Sequence, residues 1–273
     1  MSAALSQTSD PGVMSPLLDV KGLTIQYKTT ERIVTATYQV DFQVYEGERY
    51  IILGPSGCGK STLLKGVGGF LHPVAGDILL KGHKVDRPGP DRVMVFQEFD
   101  QLLPWHTVRG NIMFALLQGG RVSSKSEARD IAESFISKVK LDRFADSFPH
   151  TLSGGMKQRV AIARGMAMQP DILLMDEPFA SLDALTRLQM QEELLELWEA
   201  NQFTLLFVTH SIDEAIILGS RILILSAHPG QVRAELDASR FSHLNASSPE
   251  FGAFKARIHA LVTAGLDEEE DVS

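Results

Sequence analysis

Apolar and polar residues alternate at Val40, Phe42 and Val44, the period of a half-buried strand. Glu46-Gly47-Glu48 then turns the chain into the apolar stretch 50–53, so the pattern predicts a hairpin feeding a buried strand. A glycine-rich loop follows, and 60–70 carries a helical pattern loosened at its end by Gly66, Gly68 and Gly69, which are poor helix formers. Further strands are predicted at 77–80, 92–96, 172–175, 204–208 and 221–225, while 108–167 is helical in pattern. Strands alternating with helical stretches imply an α/β fold with a mainly parallel sheet and the helical middle as a separate lobe. Near the C-terminal end, Ser248-Pro249-Glu250 is a helix start. Phe251, Phe254, Ile258 and Leu261 share one face of that helix, which is expected to pack on its own domain.

Composition narrows the class. The chain has 273 residues, 44% hydrophobic and 22% charged, which fits a globular protein of one large domain or two lobes. No apolar run approaches the ~18 residues that cross a bilayer. Residues 1–16 contain Asp10, Pro11, Gly12 and Pro16 but no Lys or Arg, and read as a loose leader of a cytoplasmic protein. Basic residues number 26 against 34 acidic ones, a net charge of -8, so no basic footprint favours nucleic acid as a partner. The acidic run 267–271 reads as a solvated end. The single cysteine, Cys58, rules out an intramolecular disulfide or a multi-thiolate zinc site and fits a reducing compartment.

The chemistry is concentrated in three short stretches. Gly54-Pro55-Ser56-Gly57-Cys58-Gly59-Lys60-Ser61 matches the phosphate-binding loop and lies between a predicted strand and a predicted helix, as that loop requires. Its glycines let successive N–H groups point at phosphates, and the helix start adds a favourable dipole. Lys60 reaches the outer phosphates, Ser61 is a ligand for Mg²⁺, and Thr62 completes the binding set. Alkylation of Cys58 is expected to block the nucleotide sterically. The strand 172–175 ends in Asp176 and Glu177, placing a metal-binding carboxylate beside one that polarises water. Leu152-Ser153-Gly154-Gly155 opens a further helix, a second anion-binding start.

With that third motif the chain resembles the nucleotide-binding subunit of an ATP-binding cassette (ABC) transporter, whose signature is LSGG. The resemblance implies a P-loop NTPase (RecA-like) core with an antiparallel β subdomain and an inserted α-helical signature subdomain. The implied layout is a leader over 1–16, core over 17–97 and 166–233, helical subdomain over 98–165, and a helical extension with acidic tail over 234–273. It further implies ATP and Mg²⁺ as ligands, and two subunits facing head to tail, so that Ser153, Gly154 and Gly155 of one chain close over ATP held by Lys60 of the other. Gln97 matches the glutamine that senses metal and attacking water, Asp183 in Ser181-Leu182-Asp183 the loop crossing the dimer interface, and His210 the histidine at the γ-phosphate. Tyr27 matches the aromatic that stacks on adenine.

Leu102-Leu103-Pro104-Trp105, Thr107 to Ile112 and His228-Pro229-Gly230 resemble the importers of nitrate, sulfonates, taurine and bicarbonate. That branch implies transmembrane permease subunits as partners, a second ATP-binding subunit, indirectly a solute-binding protein, and a place on the cytoplasmic face of the membrane. Phe99 and Trp105 are apolar anchors for a permease helix, although Trp105 reads equally well as buried in the helical lobe. Met156 and Gly68 depart from common family residues, Gly68 standing where Ala is usual. Two other readings stay open: a soluble ABC-type ATPase without a membrane partner, and a nucleotide kinase using the same loop, which leaves LSGG and His210 unexplained.

Overall fold

A computed structural model describes residues 15–28, 33–98 and 101–264. Phe99, the acidic run 267–271 and nearly all of the leader therefore lie outside the described residues. The centre is a six-stranded sheet in the order β10-β9-β3-β8-β7-β6, built from Val232–Asp237, Arg221–Leu225, Arg49–Leu53, Thr204–Thr209, Ile172–Asp176 and Arg92–Val95. All neighbours in it are parallel except β10, which runs antiparallel to β9 at the edge. β7 and β8 are buried along their whole length, which is why they read as continuous apolar runs rather than alternating ones.

A second, antiparallel sheet has the order β2-β1-β4-β5, from Ile33–Val44, Leu18–Lys28, Ala75–Leu80 and His83–Lys84. This corrects the predicted hairpin. β2 pairs with β1, and β3 pairs with β8 and β9, so the turn at Glu46-Gly47-Glu48 carries the chain from one sheet to the other. The alternation in β2 and the solid apolar run in β3 are signatures of these two different sheets, and a short polar turn fits either connection.

Alternate residues of β3 feed two cores. Tyr50 and Ile52 join the antiparallel sheet and helix α1 (Lys60–Val67), whereas Ile51 and Leu53 join the helical lobe and the helices behind the sheet. The lobe consists of α2 (Val108–Gln118), α3 (Lys125–Lys138) and α4 (Gly154–Ala167), with α4 packing against β6. Gly68 caps α1, and a Cβ there would stand 2.8 Å from the half-exposed Phe70 ring, which alanine would turn aside.

Past β7 come α5 (Ala184–Asn201) and α6 (Ile212–Leu218). Helix α7 (Pro249–Thr263) begins as predicted, with the Ser248 hydroxyl accepting from Phe251 N at 3.1 Å. Phe251, Phe254 and Ile258 are buried, and Phe241 stacks on Phe254 at 4.7 Å between centroids, so α7 packs on its own chain against α6. No helix among the described residues is long and apolar enough to cross a membrane.

Candidate active site

The phosphate-binding loop leaves the end of β3 and enters α1 through Gly59, at φ +95°. A Cβ at Gly59 would lie 2.4 Å from the Ala36 carbonyl, so glycine is needed both for the backbone conformation and for the approach of β2. Gly230, in the turn between β9 and β10, is pressed in the same way: its Cβ would meet the Cys58 carbonyl at 2.2 Å. The loop is thus wedged between strand β2 and the β9–β10 turn. Cys58 is buried, and burial pushes its thiol up from the usual range, so it fills space in the loop and reacts slowly with alkylating reagents.

Around the loop the structure gathers residues that are far apart in sequence. Lys60 is 4% exposed, donates to the carbonyls of Gly54 at 3.0 Å and Pro55 at 2.8 Å, and lies 3.7 Å from Glu177 Oε1. Ser61 Oγ donates to Asp176 Oδ1 at 2.7 Å. Burial raises the Asp176 carboxyl, and the Ser61 hydrogen bond partly opposes it. A buried carboxylate oxygen beside a hydroxyl is a hard-oxygen pair of the kind that takes Mg²⁺, which keeps its remaining positions for water and phosphate. Glu177 has φ +43°, a conformation uncommon for a residue with a side chain, and is fixed there by its N–H on the Val208 carbonyl at 3.0 Å. His210 Nδ1 stands 2.7 Å from Glu177 Oε2, so the two carboxylate oxygens face a lysine and an imidazole respectively.

Lys60, Ser61 and Glu177 open onto a cleft of about 340 Å³, with Asp176 and His210 hydrogen-bonded to Ser61 and Glu177. Tyr27 lines its far side, and the phenol oxygen is 2.6 Å from Thr62 Oγ1, which fixes the ring near the loop. Val34, Ala36 and His228 complete that side. Sequence reasoning did not place His228 at the nucleotide; His228-Pro229-Gly230 marked only a family branch, and the contact depends on how the β9–β10 turn folds back over the loop.

Other predicted residues sit elsewhere. Ser153 caps α4, accepting from Met156 N at 3.3 Å, and none of Ser153, Gly154 or Gly155 lines the cleft. Asp183 caps α5 through bonds from Leu185 N at 3.2 Å and Thr186 N at 3.0 Å; hydrogen bonding from Thr186 holds its carboxyl low. Gln97 is exposed two residues past β6, and among the described residues no hydrogen bond joins it to Ser61 or Asp176. Its segment is held from beneath by Gln101, which accepts from Phe96 N at 3.1 Å and donates to Phe96 O at 2.8 Å. Gln158, fully buried on α4, adds a bond to the same Phe96 carbonyl at 3.4 Å, tying the signature helix to this segment.

Two further supports were not legible beforehand. Arg187 reaches back from α5 to the carbonyls of Phe179, Ala180 and Leu182, fixing the turn that precedes Asp183. Glu214, buried on α6, accepts from Gln191 Nε2 at 3.0 Å and from the Thr209 hydroxyl, next to His210. Desolvation raises its carboxyl above the ordinary range.

The family model described as ABC transporter matches residues 37–180, more than half of the chain. The chain belongs to the ABC transporter ATP-binding family. It is 45% identical over 244 residues to the taurine import ATP-binding protein TauB of Rhizobium johnstonii, covering 86% of this chain and 92% of that one. It is 42% identical over 221 residues to the bicarbonate transport ATP-binding protein CmpD of Synechococcus elongatus, covering 81% and 79%. A dimeric cassette in a post-hydrolysis state with ADP and Pi superposes at a TM-score of 0.71, with 34% identity over 82% of this chain and all of that one. The ABC ATPase described here is therefore an ATP-binding and ATP-hydrolysing subunit on a P-loop NTPase fold, and its relatives include import subunits.

Proposed function

We propose that this ABC ATPase couples MgATP-driven closure of a homodimer to uptake of a small solute through partner permease subunits. Support for the solute class is the naming of relatives for taurine, bicarbonate and nitrate import. The catalytic core of the reading rests on one observation: Lys60, Ser61 and Glu177 line one cleft, where Ser61 bonds Asp176 and Glu177 bonds His210. Gly54, Ser56, Gly57, Cys58 and Gly59 cradle phosphate with their backbone N–H groups, Pro55, which has no N–H, shapes the loop, Lys60 holds the outer phosphates, and Tyr27 stacks on adenine.

Ser61, Asp176 and Gln97 would hold Mg²⁺, which when bound supplies charge neutralisation between the β- and γ-phosphates. Glu177 is the general base, taking the proton of the attacking water. His210, hydrogen-bonded to Glu177, fixes the orientation of that carboxylate and meets the γ-phosphate with its other ring nitrogen. Ser153, Gly154, Gly155 and Asp183 lie off the cleft, which agrees with their serving the nucleotide of a second copy.

On the helical lobe Trp105 is 69% exposed, close to His106 at 6.5 Å and with Phe114 beyond it at 5.3 Å from His106. This aromatic surface fits a permease helix better than the lobe's interior, and through it the chain sits peripherally on the cytoplasmic face of the membrane, with a solute-binding protein engaged only indirectly. The test is purification of the tagged chain from gently solubilised native membranes. A stoichiometric multi-helix permease is expected; recovery from the soluble fraction alone, without membrane protein, favours the soluble ATPase instead.

A further inference from the structure

A cavity of about 660 Å³ lies apart from the nucleotide cleft. It lies between the helical lobe and the opposite end of the parallel sheet, in the size range of small-molecule sites. One wall is a stripe of α3, with Asp130, Ile131, Ser134, Phe135 and Lys138 at helical spacing. The other comes from the end of α4, the start of β7 and the end of α5, where Met166, Leu173 and Phe203 supply an apolar floor.

Two charges mark the ends of this cavity. Lys138 Nζ sits 4.4 Å above the Phe135 ring and donates to Asn201 Oδ1 at 2.9 Å, so a neutral amide and an aromatic face hold it at the mouth. No carboxylate pairs with it among the described residues, whereas Lys140 on the same side pairs with both Glu193 and Glu196. The Asp130 carboxylate likewise has no hydrogen bond or ion pair among the described residues. Eight residues of helix separate the two, about 12 Å along α3. Both side chains are exposed at the rim, so an apolar floor with a cation at one end and an anion at the other favours an elongated amphipathic molecule whose acidic group meets Lys138. A second acidic group would be repelled at Asp130.

We infer that this inter-lobe cavity binds an amphipathic organic monoanion, independently of the nucleotide. The occupant touches both lobes, so binding stabilises their contact and raises the melting temperature of the full chain. The inference does not depend on the transport reading.

The probe is 8-anilinonaphthalene-1-sulfonate, an apolar aromatic monoanion, titrated by fluorescence into the full chain with ADP saturating the nucleotide cleft. Saturation at one probe per chain is expected, with displacement by octanoate and much poorer displacement by octanedioate. Lys138→Glu should weaken probe binding about tenfold, as loss of one charge-assisted contact does. Ile131→Trp should abolish it by filling the floor. Should that variant melt early, Ser134→Trp at the exposed rim serves instead, and Asp130→Asn should bring octanedioate level with octanoate. Non-saturating fluorescence, or saturation unchanged by Lys138→Glu and by a filling variant that retains the parental melting temperature, would overturn the inference.

Discussion

The core and signature regions of this ABC ATPase are built on different plans. In the core region, Lys60, Ser61, Asp176, Glu177 and His210 already touch one another through hydrogen bonds and a close ion pair. In the signature region, Ser153 and Asp183 spend their side chains capping their own helices, and Gly155 faces Thr186. In the proposed dimer the first region would be the half-site that binds nucleotide, and the second a locally satisfied edge offered to the partner's nucleotide. Such a division is what a head-to-tail symmetric pair requires, since each chain supplies one half of both sites.

The sharpest way to break the comparison is at the base. Glu177→Gln keeps the shape of the core half-site and is expected to cut turnover by about 10² to 10⁴, the range for loss of a general base, while ATP binding survives. Steady-state hydrolysis and gel filtration with ATP check it; a dimer should accumulate. Next in size is the support beneath His210. Glu214→Ala leaves the Thr209 hydroxyl and the Gln191 amide without their buried partner, a loss of about 1–3 kcal/mol for each stranded group, read by urea unfolding. An unchanged unfolding midpoint would show that the network contributes nothing to the core.

Smaller effects sharpen the picture. Tyr27→Ala removes a stacking surface and should cost about 1 kcal/mol, raising KM for ATP roughly fivefold with kcat little changed. Asp176 supplies a pH test. Its native pKa is raised, so the folded chain holds that proton more tightly than the unfolded chain does. The carboxyl therefore favours folding at acid pH, and the contribution is withdrawn as pH climbs past the native value. Asp176→Asn should accordingly gain melting temperature relative to the parent at pH 8 more than at pH 5, while losing Mg²⁺-dependent turnover. Equal gains at both pH values would remove burial of this charge as the cause.

Much of this was legible in the chain, for identifiable reasons. The phosphate-binding loop and the strand ending in Asp176 and Glu177 are local signals, since a glycine loop before a helix and an apolar run before two acids each state their structure within a few residues. The helix α7 was equally local, with its cap and apolar stripe in one segment. What escaped is non-local. Whether β2 pairs with β1 or with β3 depends on sheet membership, which a turn of three polar residues does not specify. The roles of Arg187, Glu214, Gln101 and His228 come from contacts across the fold, and no spacing rule links Arg187 to the carbonyls it binds or His228 to Lys60.

The central claim is that each hydrolytic site is split between two copies, and mixing two inactive variants tests it most directly. Lys60→Ala removes the core half-site and Ser153→Arg the signature half-site, so each variant alone should be inactive. Mixed in equal amounts with MgATP, about half the dimers would pair the two variants, each with one intact composite site, and hydrolysis should recover to about a quarter of the parental rate. A mixture no more active than the variants measured separately would contradict the account, because it would place both halves of the site within a single chain.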